Sequence, residues 1–215
     1  MKKIVFTLLV FIVIFLIYYF NITETIYYAS IGDQLSNGIN NLNKVENNYS
    51  NNIKNYYKDN LSNYVNYSNI DDYRVMDLIN DINYNKTILY NNEEYKIQNI
   101  LIKANYITLS IGMNDILNKN NISYEFIDEL LIDIENLFTL IRKYNKDKID
   151  YLSFYNIINN KQLIDYTNNR LEKLCNKYNI NYIDISNLND YILEGIYPNN
   201  SGYTYITNQI LNFTN

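Results

Sequence analysis

Two spacings of apolar residues alternate along most of this chain. Short runs dense in Ile, Leu, Val and Tyr at 25–31, 62–67, 106–111, 149–154 and 181–185 predict β-strands. Between them, apolar residues return at every third or fourth position. Val75, Met76, Ile79 and Ile82 mark one helix, and Ile97, Ile100 and Leu101 mark another. The clearest runs from Tyr124 to Tyr144, where Phe126, Ile127, Leu130, Leu131, Ile134, Leu137, Phe138 and Ile141 share one broad face. Helices at 161–178 and 201–211 complete the set, with Ser123 and Ser201 expected as N-caps. Strands alternating with helices of this length predict right-handed βαβ units. The fold class expected is α/β: a three-layer α/β/α domain around a five-stranded parallel sheet. Sites in such sheets form beyond the carboxyl ends of the strands. The loops after Ile31, Tyr67, Ile111 and Phe154, and the loop before the last helix, are therefore the segments to read.

The chain opens differently. Met1, Lys2 and Lys3 precede residues 4–20, a run from Ile4 to Phe20 with no charge and Thr7 as its single polar side chain. As a helix it would reach roughly 25 Å, at the lower limit for crossing a bilayer. It closes on Tyr18, Tyr19 and Phe20, aromatics suited to a membrane interface, and lacks the small residues of a signal cleavage site. Lys2 and Lys3 before it and Glu24 after it orient the remaining chain outside the cytoplasm. The expectation is an N-terminal membrane anchor or signal segment over 1–21 and one domain over 22–215. The protein would be single-pass with that domain outside the cytoplasm, or secreted if the segment is cleaved.

Composition narrows the chemistry. The net charge is −5 and the three Arg are scattered, which argues against a nucleic-acid partner. Histidine is absent, which removes the usual general base near neutral pH and the commonest metal ligand. Cys175 is the single thiol, so no intrachain disulfide forms. It lies in the apolar phase of its helix beside Leu171 and Leu174 and reads as a small buried hydrophobe. No cofactor is expected, and no metal: only carboxylates such as Asp71, Asp72 and Asp115 remain as ligands. The abundant Asn and the 25 Tyr suggest low complexity, yet the regular apolar spacing is that of a folded domain.

Three loops carry recognisable blocks. The first reads Ala29-Ser30-Ile31-Gly32-Asp33-Gln34-Leu35-Ser36, and a later one Ser110-Ile111-Gly112-Met113-Asn114-Asp115. The last reads Glu194-Gly195-Ile196-Tyr197-Pro198-Asn199-Asn200-Ser201-Gly202-Tyr203. In this order, each at a strand end or helix start, they resemble the signature blocks of the SGNH/GDSL hydrolases (lipase- and acylhydrolase-like esterases) over nearly all of the chain after Thr25. That resemblance implies an SGNH/flavodoxin-like sheet. It also implies a Ser nucleophile in the first block, a late His as base with an Asp three residues before it, and an oxyanion site built partly from a Gly and an Asn.

Carried over position by position, the resemblance puts Gln34 at the nucleophile, Tyr197 at the base, Glu194 at the orienting acid and Asp71 at the glycine. Asn114 alone matches. An amide cannot attack a carbonyl, and a phenol with a pKa near 10 is a poor base at neutral pH. A carboxylate at Asp71 would oppose a developing oxyanion. The expectation is an extracytoplasmic, catalytically degenerate SGNH-fold protein. It would bind a cell-envelope glycan, a lipid or acyl ligand, or a protein partner through the former active-site cleft. Asp33, Gln34, Ser36, Asn114 and Tyr197 are the candidate contacts. The alternative is a working esterase on acyl or acetyl esters with Ser36 as an atypical nucleophile. Ser36 otherwise reads as a cap or turn hydroxyl, and Asp33 as an acceptor for loop N–H groups.

Overall fold

The computed structural model describes residues 11, 25–39, 47–68, 72–192 and 195–213. Each of the five apolar runs forms a strand: β1 Ile26–Gly32, β2 Leu61–Ser68, β5 Tyr106–Ser110, β6 Lys148–Leu152 and β7 Asn181–Ile183. They make a five-stranded sheet in the order β2-β1-β5-β6-β7, with every pairing parallel. The helices are α1 Gln34–Asn37, α2 Tyr49–Tyr56, α3 Val75–Asn83, α4 Ile97–Lys103, α5 Met113–Leu117, α6 Tyr124–Tyr144, α7 Lys161–Lys177 and α8 Asn200–Asn212, with a 3-10 turn at Ser186–Tyr191. A separate two-stranded hairpin, β3 Thr87–Tyr90 and β4 Glu93–Lys96, stands between α3 and α4.

Side chains alternate across the sheet with the period of two that a pleated strand imposes. On one face Ala29, Ile31, Val65, Ile107, Leu109 and Tyr151 pack against α3, α4, α6 and α7. On the other, Tyr28, Tyr64, Tyr106 and Leu152 meet α2 and α8. That second face is built on tyrosine. Tyr28 lies in register with Tyr64 on β2 and Tyr106 on β5, and its ring stacks on theirs at 5.3 and 5.2 Å. The Tyr28 hydroxyl is satisfied by Thr108 Oγ1 at 2.8 Å, and that of Tyr106 by Asp150 Oδ2 at 2.7 Å. Such pairing lets the Tyr28 and Tyr106 rings serve as core without stranding their polar ends, whereas the buried Tyr64 hydroxyl has no hydrogen-bond partner among the described residues. Cys175 is buried in α7, and burial pushes its thiol up to about 12.

Several expectations need correction. The last helix is capped by Asn199, whose side chain accepts from Gly202 N, and Ser201 lies inside its first turn. Ser123 does cap α6, accepting from Phe126 N at 3.3 Å. In α3 the inward positions are Val75, Leu78 and Ile82, whereas Met76 is 45% exposed. Helix α2 and the β3–β4 hairpin were not foreseen. The hairpin turns on Asn91 and Asn92, both at positive φ (51° and 66°), the conformation a two-residue hairpin loop demands. The apolar segment 4–20 expected to reach a membrane lies outside the described residues apart from Phe11. Among the described residues, no helix is long and apolar enough to cross a membrane.

Candidate functional site

From β1 the chain crosses to β2 on one side, and it later returns to β5 on the other, so the sheet changes winding direction between β1 and β5. The loops leaving these two strands diverge there and open a crevice at the carboxyl edge. Gly32 ends β1 opposite Ser110 on β5, and at its φ of 145° an added Cβ would lie 1.8 Å from the Ser110 carbonyl oxygen. Only glycine lets the two loops approach this closely.

Asp33 caps α1 and is 2% exposed. Its Oδ1 accepts from Leu35 N at 3.0 Å and from the Ser110 hydroxyl at 3.2 Å. Among the described residues no cation pairs with it. Burial raises its carboxyl to about 7, with the two hydrogen bonds opposing that rise. Near neutral pH, Asp33 is therefore poised between its acid and its carboxylate.

One step along, the Gln34 carboxamide reaches over the crevice toward β5. Its Oε1 accepts from Asn114 Nδ2 at 2.6 Å, and the same nitrogen donates to the Tyr73 carbonyl at 2.9 Å. Asn114, at the start of α5 and 3% exposed, thus spends its amide N–H groups bracing two neighbours. The Gln34 carbonyl oxygen thereby takes up one Asn114 amide N–H.

Tyr197, half-buried, approaches from the loop before α8. Burial, and then the charge of Asp33, push its phenol above the ordinary range, which keeps it protonated near neutral pH and so unavailable to accept a proton. The loop is fixed by Tyr155, whose hydroxyl donates to the Ile196 carbonyl at 2.8 Å. Asp33, Gln34, Asn114 and Tyr197 all line one pocket, closed in by Met113, Leu117, Phe154 and Tyr155. Its open volume is about 20 Å³, room for about one water molecule.

Ser36 is not part of it. This residue is fully buried on the far side of α1, where its hydroxyl lies 2.8 Å from the Tyr49 hydroxyl and donates to the Ile31 carbonyl at 3.1 Å. The expectation of Ser36 as a pocket contact or nucleophile is corrected by helical geometry. Two residues beyond Gln34, a side chain on a helix points to the opposite face. Asp71 and Glu194 lie outside the described residues. The sequence reading missed Ser110, Ser153, Tyr155 and Tyr73. The first three line the pocket, and Tyr73 supplies the carbonyl that holds Asn114. Ser110 had a legible signal, since the last residue of a strand leading into a site loop commonly faces the site.

No family model matches the sequence, and no curated protein matches it either. Solved structures do match in shape. A member of the lipolytic G-D-S-L family from Veillonella parvula aligns with a TM-score of 0.62 at 17% identity, covering 86% of this chain and 96% of that one. A catalytic mutant of an acetylxylan esterase from Geobacillus stearothermophilus gives 0.63 at 15% identity, over 89% of this chain and 94% of that one. An extracellular lipase from Streptomyces rimosus gives 0.61 at 11% identity, over 89% and 100%. The fold is that of the SGNH/GDSL hydrolases.

Proposed function

We propose that this protein is a catalytically silent member of that fold, held at the outer face of a membrane by its N-terminal segment. It acts there by binding a cell-envelope, glycan or acyl ligand, or a protein partner. The observation that carries the reading is the 2.6 Å bond between Gln34 Oε1 and Asn114 Nδ2. The side chain at the nucleophile position can donate no electron pair to an acyl carbon, and it also occupies the amide that would steady an oxyanion. Tyr197 adds a phenol that stays protonated, and the chain has no imidazole to replace it. With its hydroxyl turned into the core, Ser36 has no route to a substrate as an atypical nucleophile.

A second reading, a working ester hydrolase, rests on one contact. The Ser110 hydroxyl lies 3.2 Å from the Asp33 carboxylate in a pocket that also holds Asn114. A carboxylate with a pKa of about 7 is basic enough to accept a hydroxyl proton near neutrality. The two readings separate on incubation of the full chain with a fluorophosphonate probe. The silent reading expects no covalent label. A label that disappears with Ser110→Ala would instead establish the hydrolase.

A further inference from the structure

The pocket over Gln34 has room for about one water, but a cavity of about 460 Å³ opens beside it, at the carboxyl end of β2 and under the β3–β4 hairpin. That volume falls within the ~300–1,000 Å³ of ordinary small-molecule sites. The two spaces share a wall: Tyr73 lines the cavity with its side chain and holds Asn114 with its carbonyl.

The lining of this cavity is chemically specific. Its fixed point is Asp81, whose side chain is 13% exposed. Asp81 Oδ2 accepts from Tyr73 at 2.7 Å, from Tyr67 at 3.0 Å and from Lys86 at 3.1 Å. Among the described residues Oδ1 meets only Lys86, at 3.1 Å, which leaves one acceptor position on that oxygen. Lys86 is half-exposed and carries further N–H donors into the opening. Asn66, also in the lining, commits its amide nitrogen to the Ser36 carbonyl at 3.1 Å, while its buried Oδ1 has no donor among the described residues. Ile88 and the half-buried Tyr90 add an apolar strip on the hairpin side.

These groups pair with hydroxyls. A hydroxyl both donates and accepts, so neighbouring ones can meet Asp81 Oδ1 and Lys86 at once, while C–H faces pack on Tyr90 and Ile88. An anion is not called for, because Lys86 already faces the carboxylate. An acyl chain would offer no hydrogen-bonding partner to the remaining Lys86 N–H groups or to Asp81 Oδ1. We propose that the cavity bounded by Asn66, Tyr73, Asp81, Lys86 and Tyr90 is a binding site for a neutral saccharide, next to the closed pocket over Gln34. This inference rests on reading that protein as a binder and names its ligand class and place.

The test is calorimetric titration of the full chain, in mild detergent, with cellotetraose, xylotetraose and chitotetraose, and with tetragalacturonate as an acidic control. At least one neutral tetrasaccharide is expected to bind. Asp81→Asn should weaken it about tenfold or more, through loss of a charged hydrogen bond. Leu89→Trp, which places a large ring at the cavity from a hairpin position 69% exposed and free of the core, should abolish binding without unfolding the protein. Binding by tetragalacturonate alone, or by none of the four, would overturn the inference. Binding that survives both variants but is lost with Tyr197→Ala would place the saccharide over Gln34. That result would also overturn this site, while leaving the reading of the Gln34 pocket as a binder intact.

Discussion

Two openings sit side by side at the carboxyl edge of one sheet, and they have opposite characters. The crevice between β1 and β5, where this fold brings its loops together, is braced shut. Asn114 Nδ2 donates to Gln34 Oε1 and to the Tyr73 carbonyl, and about 20 Å³ remains open. The cavity at the end of β2 has about 460 Å³ and, among the described residues, one acceptor position left on Asp81 Oδ1 beside the half-exposed Lys86. A pocket whose polar groups are paired internally gains stability and gives up ligands, because any ligand must first break a bond that is already good. A pocket with spare acceptors does the reverse. The scaffold that positions both is the same, and the difference lies in a few side chains.

The largest expected effect breaks the closure from below. Gly32→Ala puts a Cβ 1.8 Å from the Ser110 carbonyl oxygen at a φ of 145°. The loops must separate, at a cost of about 4 kcal/mol or more, read as a collapse of the urea midpoint.

Asp33 gives the next effect, through pH. Its folded pKa of about 7 lies above the ordinary 3.8, so the native state holds this proton more tightly than the unfolded chain does. The stability it contributes is complete below about pH 4 and is lost as pH rises toward 7. Asp115, raised to about 6 chiefly by burial, has the same sign. Denaturation curves should weaken across this window, and Asp33→Asn should remove roughly 2–4 kcal/mol of that slope. An unchanged slope in the variant would contradict the assignment of the shift to Asp33.

Asn114→Ala strips the donor from Gln34 Oε1 and from the Tyr73 carbonyl together. Leaving buried acceptors unpaired costs about 2 kcal/mol, measured by chemical denaturation, and the same variant should loosen the wall shared with the larger cavity. Ser36→Ala is the smallest. It removes a buried hydroxyl bonded to Tyr49 and Ile31, for about 1 kcal/mol of stability and no change in reactivity toward esters.

The sheet was legible because its strands are buried on both faces and read as dense apolar runs, which few other structures produce. The long helix α6 was legible to the residue, since Ser123 caps it and its apolar face is unbroken. What escaped had a common cause in composition. In a chain so rich in asparagine, Asn takes over the capping role, at Asn48, Asn160 and Asn199, so a search for Ser at the last helix picked the wrong residue. The β3–β4 hairpin is short and polar, with only its Asn91–Asn92 turn as a signal. Of the candidate contacts, Asp33, Gln34, Asn114 and Tyr197 do converge, because the blocks fix the first three just past strand ends and Tyr197 just before the last helix. Ser36 did not, because the direction of a side chain on α1 depends on a helix only one turn long. The larger cavity was illegible altogether. Tyr67, Tyr73, Asp81 and Lys86 are spread over a strand, a loop and a helix end, and only the folded register brings them to one carboxylate.

The central claim is that the crevice over Gln34 does no acyl chemistry, and the most direct test is the initial rate of p-nitrophenyl acetate hydrolysis by the full chain. It should be measured at about pH 8, where the Asp33 carboxyl, with its pKa of about 7, is mainly ionised and the site is at its most basic. The expected result is a rate equal to that of a heat-denatured control and unaltered by Ser110→Ala. A rate well above the control, abolished by Ser110→Ala while the variant stays folded, would contradict it and make the protein an esterase.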